Sequence, residues 1–225
     1  NWYVWADPKK DGSPPNNWLS MFGGSAWEWE PMRDQYYLHN FLISQPDFNL
    51  HNVEVQNWLL DTSRFWLEKG VDGFRLDTVN YYFHDKELKD NPASPIEYKR
   101  PPTNLYYMQN QIYAINQAEN LVFVERFRAL LDEYEDKATV GEIGDIHRPI
   151  EIMADYTKGN KRLHMAYSFE LLTSKFSPSH IKETVEKFFE DSEDSWPCWS
   201  FSNHDITRHV SRWSSNQVSE DQFAK

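Results

Sequence analysis

Cross-linkable sulfur is almost missing from this chain: its 225 residues include one cysteine, Cys198. An internal disulfide is therefore excluded. A reducing compartment, read here as the cytoplasm of a bacterium, is expected. Positive charge is also scarce. Against 35 Asp and Glu stand 23 Lys and Arg, a net charge of −12, which argues against nucleic acid and anionic membranes as partners and suits a neutral ligand. No apolar run approaches the roughly 18 residues of a membrane span. Mean hydropathy is −0.77. No internal repeat, low-complexity stretch or targeting segment is visible. His39, His51, His84, His147, His164, His180 and His209 show no metal-ligand spacing, so neither a metal nor another cofactor is expected to be held by this chain. Oligomeric state leaves no signal.

Aromatic residues, in contrast, are abundant: 10 Trp, 12 Tyr and 14 Phe. Most suit a core, and some could serve as flat platforms for the C–H face of a sugar ring. Residues 1–49 are rich in Trp, Pro, Gly, Asn and Asp, with turn signals at Asp11-Gly-Ser-Pro-Pro and Gly23-Gly24. They read as a structured, irregular excursion. From Asn52 the pattern changes. Val55, Trp58, Leu59, Thr62, Phe65 and Trp66 mark one helical face, with Asn52 as N-cap and Gly70 as stop. A strand over 71–76 follows, then a long connection broken by prolines. Next come a helical face at Val124, Phe127, Leu131 and Tyr134, a strand over 138–143, and a short helix over 149–156. A strand over 163–169, a helix from Ser177-Pro178 and a fourth strand over 198–201 complete the pattern. The chain closes at Gln222-Phe-Ala-Lys, which reads as the opening of a helix.

Alternating strands and helices predict an α/β fold with a parallel sheet. Three acidic residues fall at or just beyond predicted strand ends: Asp77 in Gly-Phe-Arg-Leu-Asp, Glu142 in Val-Gly-Glu-Ile, and Asp205 in Phe-Ser-Asn-His-Asp. Side chains at the C-terminal ends of successive barrel strands converge in space, which favours a barrel over an open sheet. Cleavage of a glycosidic bond needs two carboxyl groups flanking one sugar–oxygen bond. A complete (β/α)8 barrel runs to about 250 residues and eight units. Four strands therefore predict a partial barrel.

Gly-Phe-Arg-Leu-Asp-Thr-Val-Asn (73–80), Gly-Glu-Ile (141–143) and Phe-Ser-Asn-His-Asp (201–205) resemble, in order and spacing, signature regions of glycoside hydrolase family 13, the α-amylase family. Gln45-Pro-Asp-Phe-Asn and Asn16-Asn-Trp-Leu-Ser-Met-Phe-Gly-Gly-Ser-Ala-Trp resemble the α-glucosidase and oligo-1,6-glucosidase branch. The resemblance implies a partial TIM (β/α)8 barrel with part of an inserted loop-rich domain at its N-terminal end. Residues 1–49 would end that insertion, and 50–225 would supply about the fourth to seventh barrel strands. Asp77 matches the nucleophile, Glu142 the general acid/base, and Asp205 the third carboxylate, which holds sugar hydroxyls. Arg75 matches the arginine that orients the nucleophile, and His204 the histidine of the −1 subsite. Independently, Arg75 and Asp77 lie two residues apart and so face the same side of a strand. The acid must begin protonated, so Glu142 is expected in a less polar setting.

Within that branch, Val after the nucleophile accompanies α-1,6 preference, and Thr or Ala accompanies α-1,4; here the residue is Thr78. Tyr81-Tyr-Phe-His-Asp and Asn104-Leu-Tyr-Tyr resemble bacterial α-glucosidases acting on short α-1,4 substrates. The resemblance thus implies hydrolysis of small neutral α-glucosides such as maltose from the non-reducing end, with retention. Phe169 is either a wall of the +1 site or barrel core. Oligo-1,6-glucosidase, sucrose isomerase and transglucosylase activities stay open, although residues 171–197 lack the arginines of the isomerase loop. A non-catalytic, transporter-associated member is a further alternative, disfavoured by the presence of all three carboxylates. The family's calcium site would fall upstream of Asn1, and the chemistry implies no cofactor. The stretch reads as an internal fragment, inactive by itself.

Overall fold

The computed structural model describes residues 1–190, 192 and 194–214; the helix opening expected near Gln222 lies outside them. The chain forms two compact units, the first built from residues 1–72 and 80–135 and the second from residues 73–79 and 136 onward.

In the first unit, β1 (Trp5–Ala6), β2 (Trp27–Glu30) and β3 (Gln35–Leu38) form an antiparallel sheet in the order β1-β3-β2. The composition of residues 1–49 predicts an irregular region instead. The strands are too short to rise above the surrounding turn residues; Trp27-Glu-Trp-Glu alternates in sequence, but burial does not follow, since Trp27 is buried and Trp29, two residues on, is exposed. Trp18, Trp27, Leu38, Val4 and Ala26 form the core here, with Tyr81, Ala114 and Ile115 from the long connection. That connection is fastened by side-chain bonds. Trp18 Nε1 donates to the Lys89 carbonyl at 2.8 Å, and Asn17 and Asn91 bond reciprocally.

Helix α1 (Val53–Glu68) begins where Asn52 Oδ1 accepts the Glu54 N–H at 3.0 Å. It ends in a Schellman turn. Gly70, at φ +92°, donates to Leu67, and Val71 donates to Trp66. The expected apolar face is only partly covered. Val55 is buried, whereas Trp58, Phe65 and Trp66 stay about half exposed, Trp58 lying edge-on to Trp2 and Phe65 edge-on to Trp66. Helix α2 (Ala118–Leu131) buries Phe123, Val124, Phe127, Leu130 and Leu131; Tyr134 falls beyond its end. Arg126 joins the two helices through Gln56 and Asn57, and Arg64 reaches Glu133 beyond the end of α2.

The second unit centres on β4 (Gly73–Leu76), β5 (Ala138–Ile143) and β6 (Met165–Ser168), all parallel, in that order. Gly73 begins β4 because nothing larger fits: a Cβ there would lie 1.9 Å from the Ala138 carbonyl oxygen on the paired strand. Asp145 caps the turn into α3 (Pro149–Thr157), accepting the His147 and Arg148 N–H groups at 2.7 and 2.6 Å. Ser177 accepts the His180 N–H at the start of α4 (Pro178–Glu190), with Pro178 at the first helical position. A short α5 (His209–Trp213) follows.

Two expectations need correction. The third strand is shorter than 163–169, since Phe169 (φ −83°, ψ 4°) has already turned into a 3-10 segment. The fourth strand, expected over 198–201, is reduced to one parallel bridge between Ala166 and Pro197, plus the Cys198 N–H donating to the Ala166 carbonyl at 2.8 Å. Pro197 has no N–H to extend a ladder. Cys198 is half-buried.

Candidate active site

The parallel register assembles the site. Leu76 pairs with Gly141, and Glu142 pairs with Tyr167. One step past Leu76, Asp77 comes level with Glu142, so three functional side chains share one layer at the strand ends. Alternation turns Arg75 and Asp77 to the same side.

Arg75 is the hub. One guanidinium nitrogen binds the Asp77 carboxylate. The other lies 2.8 Å from Glu142 Oε1 and donates to the Tyr167 hydroxyl at 3.0 Å. Burial works against the guanidinium's charge, but the bonds to Tyr167 and Asp77 and the negative charge of Glu142 outweigh it and hold its pKa above the ordinary value. Glu142 is only 2% exposed, and a buried carboxylate needs a charge partner of this kind. Its Oε1 also accepts the Tyr167 O–H at 2.7 Å, and its Oε2 faces the Thr78 N–H at 3.3 Å. Burial, reinforced by the bond to Glu142, pushes the Tyr167 phenol up to about 12 despite Arg75. Asp77, in contrast, keeps 71% of its side chain open to solvent.

Asp205 sits in a turn rather than at a strand end, since the fourth strand does not form. It is nevertheless tied to Glu142. Asn203 Nδ2 reaches Glu142 Oε1 at 3.5 Å and Asp205 Oδ2 at 3.3 Å, and Asn203 Oδ1 accepts the Asp205 N–H. His204 Nε2 lies 3.6 Å from Asp205 Oδ1. Thr78 follows Asp77 at φ +36°, the left-handed region that a β-branched residue rarely enters. Gly141, immediately before Glu142, lets β5 pass close to its neighbours: a Cβ there would lie 2.4 Å from Leu163 Cδ1. Phe169 is half-buried one residue past β6 and accepts the Leu172 N–H at its carbonyl.

The fold thus gathers Arg75, Asp77, Thr78, Glu142, Asn203, His204 and Asp205 in one unit. Tyr167 and Asn203 went unread as site residues in the sequence. Asn203 stood inside the Asn-His-Asp string, and Tyr167 lies within β6, two residues before Phe169. Among the described residues, no group of three or more His, Cys, Asp or Glu side chains is arranged to hold a metal ion, and no helix is long and apolar enough to cross a membrane.

A family model described as the alpha amylase catalytic domain matches residues 1–225. A probable alpha-glucosidase of Rhizobium meliloti is 55% identical over 230 residues, covering all of this chain and 42% of that protein. An oligo-1,6-glucosidase of Heyndrickxia coagulans is 35% identical over 242 residues, covering all of this chain and 41% of its own length. Among solved structures, an alpha-glucosyl transfer enzyme, XgtA, superposes with a TM-score of 0.91 at 51% identity over 97% of this chain and 41% of that one. The chain therefore spans about two fifths of the length of these relatives.

Proposed function

The chain belongs to the alpha-amylase family, as part of its (β/α)8 catalytic barrel, and we propose that it carries the reacting groups of a retaining α-glucosidase. The substrates are maltose and other short, neutral α-glucosides, cleaved at the terminal non-reducing α-1,4 bond. The observation that carries this reading is the single guanidinium of Arg75 contacting both Asp77 and Glu142, carboxylates of adjacent parallel strands.

Asp77, open to solvent and held by Arg75, attacks the anomeric carbon. As that bond forms, the bond from the anomeric carbon to the glycosidic oxygen breaks, and Glu142 passes its proton to the departing oxygen, so the aglycone leaves as a neutral alcohol. Glu142, now ionised, takes a proton from water, whose oxygen attacks the anomeric carbon and releases Asp77. Two inversions give net retention. In this reading Asp205, bonded to Asn203 and adjoined by His204, holds sugar hydroxyls, and Phe169 lines the +1 site. This chemistry requires no cofactor. Transfer is the second reading, favoured by the likeness to an alpha-glucosyl transfer enzyme: the glycosyl-enzyme then meets an alcohol instead of water. The lone Cys198 and the net charge of −12 support a bacterial cytoplasmic setting without nucleic-acid or membrane partners.

Proton NMR of the full-length protein with maltose and with isomaltose, supplied separately, tests the proposal. α-Glucose as the first-formed anomer, released faster from maltose, is the expected result. β-Glucose first would overturn the double displacement, and preference for isomaltose would overturn the linkage assignment.

A further inference from the structure

Glu142 has two carboxyl oxygens, and their surroundings differ. Oε1 accepts the Tyr167 O–H at 2.7 Å, lies 2.8 Å from an Arg75 guanidinium nitrogen, and is reached by Asn203 Nδ2 at 3.5 Å. Oε2 faces the Thr78 N–H at 3.3 Å. The direction of the Tyr167 bond follows from donor counting. Arg75 donates to the Tyr167 oxygen at 3.0 Å, and an arginine has no acceptor to offer in return. The phenolic proton must therefore point to Glu142. Tyr167 is buried at the end of β6, register-paired with Glu142 itself, so its ring has little room to swing away.

A proton on Oε1 would collide with the phenolic proton and with the guanidinium charge, whereas one on Oε2 meets neither. We propose that Tyr167 is a positioning residue for the acid step: together with Arg75 it keeps Oε1 of Glu142 as a permanent acceptor, so that the transferable proton resides on Oε2. This rests on the assignment of Glu142 as general acid/base.

The test is Tyr167→Phe in the full-length protein, which keeps the ring and removes only the hydroxyl. Two substrates are compared: maltose, whose leaving glucose needs a proton, and p-nitrophenyl α-glucoside, whose nitrophenolate departs without one. Tryptophan fluorescence and the urea unfolding midpoint report the folded fraction of the same preparation, and rates are expressed per folded protein. A lost hydrogen bond to a charged group lowers kcat on maltose by about 10- to 100-fold, with a much smaller loss on the aryl glucoside. The alkaline limb of kcat/KM on maltose moves to higher pH, because a carboxylate deprived of a donor holds its proton more tightly. The other groups around Glu142, namely Arg75 on β4 and through it Asp77 just past that strand, and Asn203 with Asp205 in the turn before α5, are unchanged. Equal losses on both substrates, or an unmoved alkaline limb, overturn the proposal. Failure of the unmutated protein to turn over either substrate would instead defeat the α-glucosidase reading, and that is seen before the variant is made.

Discussion

Replacing Arg75 by alanine probes the electrostatic centre of the site. Glu142 is 2% exposed, and without Arg75 its carboxylate keeps only uncharged donors: Tyr167 at 2.7 Å, the Thr78 N–H at 3.3 Å and Asn203 at 3.5 Å. Breaking a buried ion pair by removing one partner costs about 3–5 kcal/mol. The short Tyr167 bond remains, so the low end of that range is expected. The Asp77 contact adds little, about 0–1 kcal/mol, because that carboxylate is largely solvated. Glu142→Gln alone removes the charge but keeps an amide in place, at about 1 kcal/mol. In the double variant no buried charge is left unpaired. Its destabilisation should therefore fall short of the sum of the singles by about 1–3 kcal/mol. Urea unfolding of the full-length protein, followed by tryptophan fluorescence, gives the four midpoints at comparable slopes. Additivity within about 0.5 kcal/mol would refute the argument, since it would mean that Arg75 does not carry the Glu142 charge.

Gly73→Ala should be more damaging than an ordinary strand substitution, because the new methyl meets a backbone carbonyl at 1.9 Å rather than a side chain that can move; a loss of about 3 kcal/mol or more is expected in the same unfolding assay. Asp47 gives a pH signature. It is half-buried, and desolvation pushes its carboxyl up to about 7 despite the Asn40 N–H at 2.6 Å. Its folded value thus lies above the unfolded 3.8, so its contribution to stability is complete below about pH 4 and is lost as pH rises through about 7. Asp47→Asn, which cannot ionise, should gain on the unmutated protein between about pH 4 and pH 8; a constant difference in unfolding midpoints would contradict this. Thr78→Val should move the ratio of kcat/KM values from maltose towards isomaltose by roughly tenfold or more, and an unchanged ratio would show that linkage choice is read elsewhere.

The parallel sheet was legible because its strands are bounded by strong local signals. Gly70 and Gly73 frame the entry to β4, and Asp145 and Pro149 mark the exit from β5, so β5 appears where its residues predicted. The clustering of Asp77 and Glu142 was legible in part, because Arg75 stands two residues before Asp77 and contacts both carboxylates. What escaped depends on contacts remote in sequence. Tyr167 looks like one more core aromatic until strand register places its hydroxyl against Glu142, 25 positions away. The apolar residues 198–201 suggested a strand, but strand formation needs a ladder, and Pro197 leaves room for one bridge. On α1, periodicity found the helix but not its covered side: of the face it named, Val55 is buried while Trp58, Thr62, Phe65 and Trp66 stay exposed, and Leu67 is buried instead.

Thr78 links two properties that usually vary separately. A threonine at φ +36° holds about 1–3 kcal/mol of backbone strain, and that same turn aims its N–H at Glu142 Oε2. Glycine or asparagine would relax the backbone, so a screen for heat resistance alone should favour them at this position. If Thr78 reads the linkage as proposed, such a screen would erode that side chain, and hardier variants would drift in specificity without any change to the carboxylates. Valine shares the branched Cβ and hence the strain, which makes it the fairer probe of what the threonine hydroxyl contributes to substrate choice.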